Sequence, residues 1–242
     1  MSGSTSSLQN GAHIEHADLR AISFHHVRFR GLELVDVEIT GEIQNVTING
    51  VDIGPLVDVE LNRRMPDRAK MNPSTVAEFQ EAWANLERLW IATENRARAL
   101  SPERLHERVR EEWSFIETLR HLGFASAAWC GRVTLGNPTP WHPLDLPWAE
   151  APGWEGIPWD HEVRPSLDEI VALRRERQAM VRDLITGLTP GQLASSVTMT
   201  APGWPQLEDF SIRECILIVI NEEWHHQLYA ERDLDALVAP MD

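Results

Sequence analysis

Near the C-terminus, Asn221-Glu222-Glu223-Trp224-His225-His226 breaks the apolar run 216–220 with two carboxylates and two imidazoles. Simple continuation of a helical core would demand leucines here, so these groups answer to something other than packing. Glu222 and His226 stand four residues apart, about 40° around a helix, so both can serve one site, and Val219 turns that face toward the core. A carboxylate and two imidazoles are the donor types that hold Zn²⁺ with a position left open, where a bound water or thiol is activated. The second imidazole on offer is His121, whose face carries Thr118, Ala125 and Ala128, small residues that leave room beside it. Spacing alone does not bring His121 to Glu222. It also leaves Glu223, within one turn of His226, and His225 open as the second ligand. Cys130 and Cys215 lie among apolar residues, where a free thiol behaves as a small hydrophobe and not as a nucleophile.

The elements that must position these groups read as helices. Thr75 with Glu78, Ser166 with Glu169 and Ser211 with Glu214 have the S/T-x-x-E form that satisfies the first amides of a helix, and Ser101-Pro102 offers a fourth start. Apolar periodicity then predicts helices over 76–100, 111–135, 167–188 and 212–234. Phe79, Trp83, Leu86 and Trp90 form the stripe of the first; Phe115, Leu119, Leu122 and Trp129 form that of the second. Four long amphipathic helices imply a bundle. Between the second and third, the Pro- and Trp-rich stretch 136–165 holds Trp141, Trp148, Trp154 and Trp159 and is too long for a simple connection. Long ordered loops of this kind often form lids, and Trp141, His142, Trp148 and Trp154 read either as pocket or lid residues or as packing that seals the open end of the bundle. The last connection, 189–210, carries an Ala201-Pro-Gly-Trp-Pro turn.

Upstream, the sequence from Ala17 divides into fives. Apolar residues recur as Ala17/Leu19, Ile22/Phe24, Val27/Phe29, Leu32/Leu34 and Val37/Ile39, then after a slip as Val46/Ile48 and Val51/Ile53. Neither the strand period of two nor the helical period of 3.6 explains this, whereas a coil making a quarter-turn per unit does. The units resemble the pentapeptide-repeat family, which implies a short right-handed β-coil over 17–70, preceded by a flexible tail at 1–16. So small a coil needs a neighbour, either the following domain or a second copy in a homodimer.

Composition narrows the partners. The net charge of −15 disfavours nucleic acid, whose binding depends on Lys and Arg. No stretch approaches the roughly 18 apolar residues of a membrane span, and the start lacks the basic and apolar parts of a secretory signal. Two cysteines are too few for a disulfide framework. A soluble, cytoplasmic protein without nucleic-acid or membrane partners is the expectation.

Two segments, Trp113-Ser-Phe-Ile-Glu-Thr-Leu-Arg-His-Leu and Asn221-Glu-Glu-Trp-His-His-Gln-Leu-Tyr-Ala-Glu-Arg-Asp-Leu, resemble the two motif segments of DinB-like metalloproteins, and the likeness spans 75–237. That family includes mycothiol-dependent maleylpyruvate isomerase, bacillithiol S-transferases and the helical domain of ergothioneine-synthesising enzymes. The resemblance implies a mainly α fold, a four-helix DinB-like bundle over 75–237, and a metal triad of a histidine followed later by His/Glu-x-x-x-His. His121, Glu222 and His226 match that triad by position, and the glutamate resembles the mycothiol-isomerase branch. The resemblance further implies a divalent metal, zinc before nickel, and a low-molecular-weight thiol such as mycothiol. The activity implied is that of a transferase or isomerase acting on a small electrophilic substrate. The alternative is a non-catalytic metal-binding or protein-interaction module of the stress-response type.

Overall fold

The computed structural model describes residues 11, 13–19, 22–41, 43–110, 112–148, 151–154, 156–158, 160–199, 204–205 and 208–238. The chain divides into two units, 1–44 and 45–242. In the first, the period of five reappears in the backbone: positive φ recurs at Gly11, His16, His26, Gly31, Asp36 and Gly41. Phe24 and Phe29, one repeat apart, meet edge to face at 5.5 Å. The expected β-coil is nevertheless not shown, because no strand is present among the described residues of this unit. Large apolar side chains between 19 and 39 stay 49–72% exposed, so the layer-on-layer burial that stabilises a solenoid is lacking. Most of the tail expected at 1–16 lies outside the described residues.

The second unit opens with a hairpin and a short helix. Thr47–Ile48 (β1) and Val51–Asp52 (β2) pair as a two-residue hairpin around Asn49 and Gly50, both at positive φ as a tight primed turn requires. Gly54–Arg64 (α1) follows, started by Pro55 in its first turn. A 3₁₀ turn, Pro66–Met71, leads into the bundle.

Four long helices build the bundle: α2 (Val76–Ala97), α3 (Phe115–Ser126), α4 (Leu167–Gly187) and, after the short α5 (Pro190–Leu193), α6 (Ile212–Val238). Thr75 and Ser166 cap α2 and α4 through reciprocal bonds with Glu78 and Glu169, as their spacing predicts. A hairpin of Ser196–Thr198 (β3) and Asp209–Ser211 (β4) leads into α6, with part of the 201–205 turn outside the described residues.

The second helix departs from expectation at both ends. Ser101-Pro102 starts only a 3₁₀ turn, Arg104–His106. The α-helix begins where Ser114 and Glu117 form their own capping box, and Arg108 holds the Glu117 carboxylate at 2.6 and 3.0 Å. Residue 111, the expected start, lies outside the described residues. Past Ser126 the helix widens to a π-helix, Ala127–Thr134, where Gly131, Val133 and Thr134 weaken the α preference.

The core is split. Phe79, Trp83, Leu86, Val181, Ile216 and Ile220 belong to one apolar cluster; Trp90, Phe115, Leu119, Leu122, Ile170 and Leu234 belong to another. Between the stretches of α4 and α6 that feed them sit buried polar residues, among them Arg174, Gln178, Glu223 and Gln227.

The long connection after α3 is sewn to that helix. Fully buried Arg120 donates to the carbonyls of Leu144 (2.8 Å), Asp160 (2.5 Å) and Val163 (3.2 Å), while its own carbonyl accepts from the Leu146 amide at 3.3 Å. Asp145, also fully buried, closes the turn by accepting from the His142 amide at 2.8 Å. Its other oxygen has no hydrogen-bond partner and would stand 3.0 Å from a Cβ at Gly123, a close approach that glycine accommodates without a shift.

Two outcomes follow from this seam. Arg120→Met takes the donor from three part-buried carbonyls and should lower stability to urea by about 2–4 kcal/mol, with new protease cleavage within 144–163. Burial pushes the Asp145 carboxyl up to about 6, against the pull of Arg177, the His142 amide and Arg120. Since that exceeds its unfolded value near 4, the penalty is absent in acid, grows between about pH 4 and 6, and persists above. Asp145→Asn should therefore gain roughly 2–3 kcal/mol on the wild type between pH 4 and pH 7. Equal pH dependence in both proteins would mean an ionised Asp145 paired with Arg177.

Candidate metal centre

His121 comes from the middle of α3, where its neighbours bury it; Glu222 and His226 come from successive turns of α6. One donor atom from each lies within 4.8 Å of the others. His121 Nε2 is 3.3 Å from Glu222 Oε2, and His226 Nδ1 is 3.4 Å from the same oxygen. The His121 and His226 rings stack at 5.1 Å, and Trp113 leans over both, at 4.4 and 5.8 Å.

The partners of each ring set its chemistry. His121 Nδ1 lies 3.1 Å from the Leu146 carbonyl, which can only accept, so this nitrogen carries the proton and donates. In a neutral ring Nε2 then presents a lone pair to a carboxylate oxygen 3.3 Å away. Two lone pairs at that distance repel unless a proton or a cation lies between them. Donor atoms around a tetrahedral ion with bonds of about 2.0–2.2 Å sit about 3.3–3.6 Å apart, so the observed separation fits a metal as well as a proton. His226 Nδ1 is 3.1 Å from the Glu222 carbonyl, one turn back.

The charge states also suit a cation. Burial, then the neighbouring His121, lowers the His226 pKa to about 4 although Glu222 opposes them, so the ring is neutral near pH 7. Burial works to raise Glu222, yet the hydrogen bond and charge of His121, with His226 and His225 adding, leave it below the ordinary glutamate range. A neutral His226 imidazole and an ionised Glu222 carboxylate are deprotonated forms that metal ligation needs.

Packing gives the candidates within α6 different surroundings. Glu223 turns the other way, into a bidentate pair with Arg174 at 2.6 and 2.7 Å, and His225 is exposed. Arg174 sits on a different helix, and no local pattern in the sequence couples it to Glu223. Trp113 was legible as part of the motif segment but not as a cover for two imidazoles. The small residues beside His121, Thr118, Ala125 and Ala128, are buried. The thiols of Cys130 and Cys215 are free, buried and pushed upward by desolvation, Cys215 to about 11, which fits inert core residues.

Trp141, His142 and Trp148 do not reach the triad by any described contact. Trp141 stacks on Phe124 at 5.3 Å, and Trp148 meets Phe124, Trp154 and Trp204 edge to face. His142 is spent on its own turn, accepting from the Leu144 amide at 3.1 Å. Trp159 lies outside the described residues. One surface cavity of about 280 Å³ is lined by Trp129, Trp154, Trp204, Pro205, Glu208 and Phe210, and a larger one of about 440 Å³ by residues including Leu135, Met180 and Gln192. Neither is lined by a member of the triad.

No helix among the described residues is long and apolar enough to cross a membrane. No curated protein and no solved structure is matched by the chain. Residues 85–230, more than half of the sequence and inclusive of His121, Glu222 and His226, match the family model of the DinB superfamily, and the chain belongs to that superfamily.

Proposed function

We propose that His121, Glu222 and His226 bind one divalent metal ion, zinc before nickel. A metal held by these three residues would assist a low-molecular-weight thiol of the mycothiol kind in transfer to, or isomerisation of, a small electrophile. The observation that carries this reading is the 3.3 Å approach of His121 Nε2 to Glu222 Oε2 while Nδ1 is committed to the Leu146 carbonyl. A divalent ion there would supply Lewis acidity and lower the pKa of a thiol that reaches it.

The chain's own residues do the rest. Leu146 holds the His121 tautomer, the kind of outer contact on which ligand orientation depends. Burial keeps His226 deprotonated, and Glu222 supplies one negative charge. Glu222 is also the most open of the three, its side chain 33% exposed against 9% and 16% for His121 and His226, so a thiol and its substrate approach on that side. Borderline nitrogen donors and one carboxylate suit zinc in four-coordination and accept nickel.

The second reading is a non-catalytic metal-binding or interaction module, favoured by the absence of the triad from both cavities. In it the five-residue repeat, with its exposed apolar side chains, supplies the contact surface, a homodimer included.

Elemental analysis of the purified chain should find about one zinc or nickel per molecule, and His121→Ala, Glu222→Ala and His226→Ala should each lose it while keeping wild-type helicity. A wild type that stays metal-free after supplementation with either ion overturns the metal reading. With Co(II) in the site, adding a low-molecular-weight thiol should produce a sulfur-to-cobalt charge-transfer absorption. Metal without that band, and without thiol transfer to small electrophiles, selects the non-catalytic module.

A further inference from the structure

The fully buried ion pair beside the triad is not explained by stability. Arg174 of α4 and Glu223 of α6 are 0% and 1% exposed and meet through two parallel hydrogen bonds of 2.6 and 2.7 Å. The guanidinium lies 5.2 Å from the Trp90 ring centre. Burying both charges is costly, and an apolar pair of similar volume is as stable or more so in comparable cores. Nor is the local bonding complete: Arg174 Nε and Trp90 Nε1, both buried, find no hydrogen-bond partner.

What the pair does supply is a single rotational setting. A guanidinium fork accepts a carboxylate in one plane and at two fixed points, unlike the degenerate contacts of leucines. Glu223 precedes His226 by three residues and follows Glu222 by one, which is about 100° around the helix. With Glu223 locked onto α4, Glu222 and His226 are directed at His121 on α3. A rotation of α6 by one residue would aim Glu223 at His121 and strand Arg174 in the core. Apolar neighbours on α6, such as Ile220 and Trp224, oppose such a rotation only through packing.

We infer that Arg174 and Glu223 are positioning residues for the candidate metal centre, fixing the phase of α6 so that Glu222, and not Glu223 or His225, faces His121. This rests on the metal reading above. The pair contributes to metal affinity and coordination geometry without touching the ion.

The test compares the full-length wild type with Arg174→Met/Glu223→Leu, both without metal and titrated with Co(II). Without metal, the double variant should match or exceed the wild-type denaturation midpoint. With Co(II), its affinity should fall about 10–100-fold, as for other outer supports of metal ligands, and its visible ligand-field band should change shape. A mere packing role would leave that band unmoved. Arg174→Lys, which keeps the charge and loses the fork, should lie between the two. Should the double variant fail to fold, Glu223→Gln, which keeps the volume and one bond to Arg174, serves instead, and its unchanged affinity and band would overturn the inference. Wild-type affinity and band in a folded double variant overturn this inference alone. A wild type that takes up no Co(II) overturns the metal reading and this inference with it.

Discussion

A guanidinium and a carboxylate that are both sealed from water set the terms for this bundle. Neither Arg174 nor Glu223 can move independently, because an unpaired charge at that depth would cost several kcal/mol. The polar layer around them extends the constraint: the Thr93 hydroxyl accepts from Gln227 at 3.1 Å and donates to Glu231, tying α2 to α6. Glu94, buried on α2, is raised by desolvation and drawn back by Arg174 and Arg175. Three helices thus meet through directional bonds at this level and through apolar packing in the clusters. The clusters supply the burial, on the order of 1.5–3 kcal/mol for each large side chain, that lets the polar layer exist. The layer in turn removes the rotational freedom that leucines alone leave to a bundle.

The fourth helix is fixed by different means. In α3 the residues from Phe115 to Ser126 are all buried, and two of its polar members, Arg120 and His121, are bonded to the chain that follows. Arg120 and His121, adjacent in sequence, grip three carbonyls and one carbonyl of the long connection respectively. This connection has the composition of a lid, yet its first half is part of the wall. A charged group such as Arg120 replaces water with oriented carbonyls, and those carbonyls are available only while the loop stays in place. Loop placement and imidazole orientation are therefore one event, because the loop carrying the Leu146 carbonyl is held by the residue next to the ligand.

How much of this was legible follows from the range of each interaction. Helix starts at Thr75 and Ser166 were readable because a capping box is complete within four residues. The same form at Ser114-x-x-Glu117 marks the true start of α3, but the apolar period runs upstream of it and Ser101-Pro102 competes as a signal. The π-helix was not legible, since Gly131 and Thr134 weaken an α-helix without stating what replaces it. Spacing placed Glu222 and His226 on one face, and resemblance to a family, not spacing, added His121. Glu223 had the same local claim as Glu222 until Arg174, 49 residues away in sequence, took it up. The period of five was visible in sequence and is present in the backbone turns, yet it did not dictate strands. A repeat prescribes where the chain bends, while pairing needs a layer to pair with.

Access to the triad follows from which faces of the two imidazoles are already occupied. Phe124, one turn after His121 and 6.4 Å from it, is only 1% exposed because Trp141 and Trp204 stack on its ring. Trp141 of the long connection and Trp204 of the later one therefore cover Phe124 on that side of His121. The opposite boundary is looser: Trp113 is half-buried, Tyr229 is 48% exposed and lies 5.9 Å from His226, and Arg232 stands 5.3 Å from the Tyr229 ring. Glu222, the most exposed donor, completes this face. This side of the three donors thus carries aromatic rings and a guanidinium already shared with Asp233. The bundle is closed where the sequence is richest in tryptophan and open where α6 carries its single tyrosine.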